Sequence, residues 1–349
     1  RPPKQCVVLS ARVHPGESNA SWIIQGCIEF LVSNAPEAVA LREQIVFKVV
    51  PMLNPDGVIL GNYRTGLAGS DLNRKWKDPD QSMHPTVFFM KQMMEKMRDE
   101  RGVGMFVDMH GHSVKNNAFV YGCDARFWPQ APNHPSRKQP HEYECRIFPA
   151  QVDQLCSHFS LRDCRFHAKK KKEVSARVVC WRQITPLSYT LEASFGGADK
   201  EHSPPTTHFS QKHYKRIGAD LCIAIHDILC QDEEQMAALR ALLIKKLEAE
   251  PIPEDGDSDD ESDAGEKEES DDDSEDDTVE NLVLPQAVVQ KLTSKPKSKS
   301  KARRASVSKS SKKEPKKEDK TDLDRTDSGK TKVQPPPEKP APSASTAAG

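Results

Sequence analysis

The chain has 349 residues, 36% hydrophobic and 30% charged with 26 prolines, which is too long for a mini-protein and too polar for one uniform globule. Its net charge of −1 hides two opposed blocks, sixteen Asp/Glu and one Lys over residues 254–277, then nine Lys/Arg and no acid over 295–313. No apolar run reaches the length of a membrane-spanning helix, and nine scattered cysteines without a Cys-x-x-Cys pair read as reduced thiols of a cytosolic protein.

No signal peptide opens the chain, and Arg1-Pro2-Pro3-Lys4-Gln5 reads as the interior of a longer protein. Cys6–Val13 is an apolar run of buried-strand type. From Ser18 to Ser33 the residues Trp22, Ile23, Cys27, Phe30 and Leu31 recur at helical spacing. Gln44–Leu53 returns to strand and is closed by the turn signal Asn54-Pro55-Asp56-Gly57. Pro85–Glu100 is helical, Val103–Met109 a strand, Ala118–Gly122 a short apolar run, and residues 141–160 helical again. Ala176–Trp181 and Ser188–Ala193 are predicted as strands, and a last helix runs from Thr206 to Cys230 with a polar extension to Glu250. Strands apolar on both sides that alternate with helices predict an α/β sheet covered on both faces. Sites in such folds sit at the carboxyl ends of the strands. From Pro251 onward aromatic and β-branched residues become sparse, and 251–349 reads as a disordered acidic-then-basic tail with one apolar island, Val279–Leu292.

Every cluster of chemically useful residues follows a predicted strand. His14-Pro15-Gly16-Glu17 closes the first; an imidazole and a carboxylate three apart can hold one zinc ion, but a lone copy of this pattern is usually an ordinary loop. Asp108-Met109-His110-Gly111-His112 ends another strand, where His110 faces the same crevice and His112 reads as a surface or supporting imidazole. Ser70-Asp71-Leu72-Asn73-Arg74 joins an amide to a guanidinium, a pair able to clamp a carboxylate. Arg64 can add another cation to that pocket, and Asp71 can orient a zinc-bound imidazole. Ser188–Ala193 carries Glu192 among apolar neighbours, either an exposed acid on an edge strand or a general base raised by burial.

His14-x-x-Glu17, Asn73-Arg74, His110 and Glu192, in this order, resemble the zinc metallocarboxypeptidases. The strings Arg12–Glu17, Pro51–Val58, Asp71–Arg74 and His110–Ser113 resemble the cytosolic carboxypeptidase branch, over about residues 5–230. Members of that branch trim glutamates, and in some cases tyrosine, from tubulin and other acidic tails. The resemblance implies a mixed, mostly parallel twisted sheet with helices on both faces. It makes residues 1–250 a catalytic domain, N-terminally truncated and extended by a helix from about residue 231. It further implies one Zn2+ held by His14, Glu17 and His110, with Glu192 as general base and Arg64 stabilising the oxyanion. Asn73 and Arg74 would hold the substrate's terminal carboxylate. Arg177 falls by spacing where the superfamily places its specificity residue, and a cation there favours glutamate; the plain alternative is an exposed strand arginine. The branch's β-rich leading domain is expected to precede these residues in a longer chain, and its mobile substrate-binding tyrosine has no assignable position. Lys169–Lys172 lies roughly where that loop is expected, either drawing in an acidic peptide or merely solvated.

The implied partners are tubulin or other acidic protein tails, with no membrane, and nucleic acid is the less favoured partner. The implied location is the cytoplasm, on the cytoskeleton, with the nucleus a lesser alternative. The acidic run reads as a solubilising spacer rather than an occupant of the cleft, and Lys295–Lys313 suits a microtubule surface, an import signal or a nucleic acid. Arg303-Arg304-Ala305-Ser306 resembles a basophilic kinase site. Two other functions fit fewer of these motifs: a zinc amidohydrolase acting on N-acyl amino acids, and a non-catalytic microtubule-binding module.

Overall fold

A computed structural model describes residues 3–127, 143–199 and 207–252, all within the first of two compact units, Arg1–Asp271. The charged tail, its apolar island and the kinase-site motif lie outside the described residues.

Seven strands, β1 (Gln5–Ala11), β2 (Ile45–Val50), β3 (Val103–His112), β4 (Ala118–Tyr121), β5 (Ser188–Ser194), β6 (Gly197–Ala198) and β7 (Thr207–His208), make up the described β structure. The main sheet has the order β2-β1-β3-β5-β4, with β4 antiparallel to β5 and the other pairings parallel; β6 and β7 form a small hairpin. The described helices are α1 (Ser18–Leu31), α2 (Pro36–Gln44), α3 (Pro55–Leu60), α4 (Pro85–Arg101), α5 (Glu144–Leu155), α6 (Ala176–Gln183), α7 (Gln211–Leu229) and α8 (Glu233–Ala249).

Because side chains alternate across a strand, the two sheet faces have different compositions. Val7, Leu9 and Ala11 of β1, Met105, Val107 and Met109 of β3, and Tyr189 and Leu191 of β5 form one face. They pack in a core with Ile23, Ile24 and Cys27 of α1 and Ile217 and Leu221 of α7. The opposite face begins apolar, with Cys6, Val8 and Phe106 against Val87, Met90 and Met94 of α4 and Val179 and Cys180 of α6. Toward the carboxyl ends that face turns polar in register: Ser10 pairs with Asp108 and Asp108 with Thr190, and one step on His110 pairs with Glu192. From β1 the sheet grows outward to β2, then reverses to β3 on its other side, so the switch-point crevice opens between β1 and β3.

Glycines allow α1 and α7 to cross at backbone contact. A Cβ on Gly26 would collide with the carbonyl oxygen of Lys215, and one on Gly218 with that of Ile23.

Four expectations change. Ala176–Trp181 is the helix α6 rather than a strand. All six residues are buried, so a β-branched run carried no amphipathic period, and the Asn73 side-chain oxygen accepts the Ala176 N–H to start the helix. Asn54-Pro55-Asp56-Gly57 opens the short helix α3, the Asn54 side chain accepting from Gly57 N–H. The last predicted helix splits into β7 and α7, where Ser210 and His213 form a reciprocal capping box. Ile252, beyond the expected boundary at 251, packs into the core. All nine cysteines are free thiols and eight are buried.

Candidate metal and substrate site

The loop after β1 brings the first two candidate ligands in. Arg12 takes a left-handed conformation, φ 63°, and its guanidinium donates to the Pro15 carbonyl at 2.7 Å and to Ser21 Oγ at 2.6 Å, pinning the turn. Gly16 is required by close approach, since a Cβ there would strike the Tyr63 ring, and its N–H donates to the Tyr63 carbonyl at 2.7 Å. His14 and Glu17 then face His110 at the end of β3. The ligand atoms of His14, Glu17 and His110 lie within 4.8 Å of one another, and all three residues are buried. Both imidazoles turn Nδ1 toward the Glu17 carboxylate, His14 at 2.6 Å and His110 at 3.2 Å.

Each remote ring nitrogen meets its own carboxylate: His14 Nε2 lies 3.2 Å from Asp71 Oδ1, and His110 Nε2 lies 2.7 Å from Asp108 Oδ2. Asp108 is fully buried, with Oδ1 accepting from Ser10 Oγ at 2.6 Å. Two imidazoles and one carboxylate, each imidazole oriented from behind by an acid, form the donor set of a catalytic zinc site with a position left for water. The residues therefore fit a zinc ion.

Electrostatics agree with that fit. Burial alone would raise the Glu17 carboxyl, but His110 and His14 outweigh it and hold the group well below the usual carboxylate range. Burial would likewise raise Asp71, yet its bond to His14 and the charges of His14, Arg64 and Arg74 hold it low. Burial works to lower both imidazoles, but Glu17 and Asp71 raise His14, while Asp108 and Glu17 raise His110 well above the ordinary histidine range.

One pocket gathers His14, Glu17 and His110 with Arg64, Asn73, Arg74, Arg177 and Glu192. Glu192 is buried on β5 between β3 and β4, so it is no edge-strand acid, and its register partner is His110. Asp71 ties His14 to the neighbouring cations. Arg64 places Nε and an Nη each 2.9 Å from Asp71 Oδ2, Arg74 stands 3.7 Å from the same oxygen, and Asn73 N–H donates to Oδ1 at 2.7 Å. Arg177 is 6% exposed in the first turn of α6, a buried helical residue rather than an exposed strand arginine. Lys172, Ser175, Tyr63, Tyr121 and Thr190 complete much of the lining. His112 is buried outside the ligand cluster, and its Nδ1 accepts the N–H groups of Val114 and Lys115 at 3.2 and 2.9 Å.

Sequence reasoning missed Asp108, although its two-residue offset from His110 on a strand already put both on one face. It also missed Tyr121, for which no local signal existed, because only the antiparallel pairing of β4 places it beside Thr190.

Residues 1–213 match the zinc carboxypeptidase family, Peptidase M14. The chain belongs to this family. Among curated relatives it is 44% identical over 231 residues to mouse cytosolic carboxypeptidase 2, covering 66% of this chain and 25% of that protein. It is 42% identical over 252 residues to the human counterpart, covering 70% and 26%, and 40% identical over 223 residues to zebrafish cytosolic carboxypeptidase 1, covering 63% and 19%. The chain thus spans about a quarter of the relatives' length. The metallo-carboxypeptidase from Pseudomonas aeruginosa in complex with (2-guanidinoethylmercapto)succinic acid superposes with a TM-score of 0.56 at 26% identity, covering 68% of this chain and 59% of that one. The metallo-carboxypeptidase from Burkholderia cenocepacia gives 0.54 at 29% identity, covering 64% and 56%. The mixed sheet with helices on both faces is the zinc carboxypeptidase fold. No helix among the described residues is long and apolar enough to cross a membrane.

Proposed function

We propose that this chain is the catalytic part of a zinc-dependent metallocarboxypeptidase that removes C-terminal glutamates from acidic protein tails, tubulin's among them. The observation that carries this reading is the meeting, in one pocket, of the His14–Glu17–His110 cluster, Glu192 in register beside it, and the cations Arg64, Arg74 and Arg177. His14, Glu17 and His110 would hold the zinc ion, which would supply Lewis acidity toward water and the scissile carbonyl. Glu192 accepts a proton from the attacking water and hands it to the leaving amine. Arg64, steadied by Asp71, meets the charge that develops on the carbonyl oxygen. Asn73 and Arg74 hold the terminal carboxylate, which restricts cleavage to the last residue. Arg177 receives the side-chain carboxylate of that residue, and Lys172 at the rim adds to the positive field that draws an acidic tail inward. In this reading residues 1–250 are the catalytic domain and 251–349 a charged appendage. The cytosol, where the names of the relatives place them, is its site of action, with the cytoskeleton as the place of encounter.

The test is release of free glutamate from a peptide ending in three glutamates, against the same peptide amidated at its C-terminus. Turnover of the free-acid peptide alone is expected. Glu192→Gln should lower turnover about 10²–10⁴-fold while zinc stoichiometry stays at one. Equal trimming of the amidated peptide, or an active Glu192→Gln protein, would refute the reading, and turnover of N-acetylglutamate alone would move it to an amidohydrolase. Mass spectrometry of tubulin tails before and after incubation tests the protein substrate.

A further inference from the structure

Arg177 poses a problem of electrostatics. Its side chain lies in the pocket at 6% exposure, yet among the described residues no carboxylate pairs with it. A buried guanidinium stripped of water is costly unless something replaces the lost solvation. A permanent carboxylate partner would supply that, but it would also compete with any acidic ligand. Arg64 and Arg74, by contrast, are both turned toward Asp71.

The group that meets Arg177 is an aromatic face. Its Cζ stands 5.2 Å from the centroid of the Tyr121 ring, within cation–π range. The same ring draws a second cation, Lys115, whose Nζ lies 5.7 Å from it and 5.1 Å from the Phe119 ring. Tyr121 is fixed in turn. It pairs with Thr190 across β4 and β5, and its ring stands edge-on to Phe119 at 5.5 Å and 88°. Phe119 is braced by His112, edge-on at 5.2 Å. This aromatic row lies on the same sheet face as His110 and Glu192, since Phe119 is the register partner of Glu192.

We propose that Tyr121 is the positioning residue for substrate specificity: its π face holds Arg177 in the pocket, charged and without a counter-carboxylate, so that a dianionic C-terminal residue is preferred over its uncharged isostere. The inference deepens the glutamate-removing reading and rests on it for the identity of the ligand. A π face stabilises a cation through its quadrupole while leaving the N–H donors of the guanidinium available, which a carboxylate would not. Lys115, drawn to the same rings, adds positive potential at that end of the pocket.

The experiment uses the zinc-loaded full chain and reads binding, with each ligand checked as intact afterwards. Calorimetry compares N-acetyl-L-glutamate, a dianion, with N-acetyl-L-glutamine for the native protein, Tyr121→Phe and Tyr121→Leu. The native protein should prefer the dianion, and Tyr121→Phe should retain that preference within about twofold because the ring persists. Tyr121→Leu should cut the preference about tenfold through weaker dianion binding, with glutamine-ligand affinity little changed. Tyr121→Phe carrying a fluorinated ring keeps the shape but weakens the quadrupole; it should behave like Tyr121→Leu, and it decides the matter if the leucine variant does not fold. A native protein without preference for the dianion overturns the proposal, as does a fluorinated ring that leaves the preference intact or a loss shared equally by both ligands. Absence of peptide turnover in every protein would sink the glutamate-removing reading while leaving these binding ratios to decide the role of Tyr121.

Discussion

Replacing Asp108 with Asn should perturb the proposed metal site without touching a proposed ligand. Asp108 is wholly buried and uses both oxygens, Oδ1 accepting from Ser10 Oγ at 2.6 Å and Oδ2 facing His110 Nε2 at 2.7 Å. With Nδ1 of His110 given to the zinc ion, its Nε2 would carry the proton and Asp108 would accept it. The amide of Asn fits the same space and keeps an acceptor there if its NH2 turns to Ser10, whose hydroxyl can rotate to accept. What is lost is the negative charge, and with it about half the strength of that hydrogen bond. Loss of such an outer partner typically lowers metal affinity 10–100-fold, about 1.4–2.7 kcal/mol. The assay is competition for zinc against a chromophoric chelator at fixed pH, with circular dichroism to establish folding. A folded Asp108→Asn protein whose zinc affinity stays within twofold of the native value would refute the argument that this carboxylate sets the ligand's basicity.

Arg177→Gln should raise the KM of glutamate-terminated peptides about 10–100-fold, because a hydrogen bond to a charged group is worth about 1.5–3 kcal/mol. Peptides ending in glutamine should be barely affected, and an equal loss on both would contradict the assignment. Gly218→Ala should cost about 1–3 kcal/mol, since α1 and α7 must separate to admit the methyl group; a thermal scan with an unchanged midpoint would disprove that contact. Asp124 governs part of the acid limb of stability. Burial would raise its carboxyl, but hydrogen bonds from Arg126 and Arg146, the latter at 2.5 Å, hold it below the usual value. A depressed folded-state pKa means its contribution is complete above the unfolded value of about 3.9 and is lost as pH falls through the folded value. Asp124→Asn should therefore cost about 3 kcal/mol at pH 7, at the low end for a broken buried pair because the amide oxygen still accepts. Urea titrations should show that cost shrinking below about pH 4, and a pH-independent difference would count against it.

Much of the sheet was legible because its strands are short and apolar and their neighbours are amphipathic helices, patterns that the local period reveals. His14, Glu17, His110 and Glu192 could be singled out because each follows or ends a strand, where an α/β fold places its chemistry. The α6 segment was misread for the complementary reason. Buried on all sides, Ala176–Trp181 offers no periodicity, and what starts the helix is an oxygen from Asn73, 103 residues away.

Local sequence thus determined which side chains carry chemistry and on which kind of element they sit, since period, turn residues and charge act over a few residues. Only the tertiary structure decided that Asp71 stands behind His14, that His110 meets Glu17, and that Arg177 rests on the ring of Tyr121. These are contacts between groups tens of residues apart, chosen by strand order and register, and no pattern within one segment encodes them.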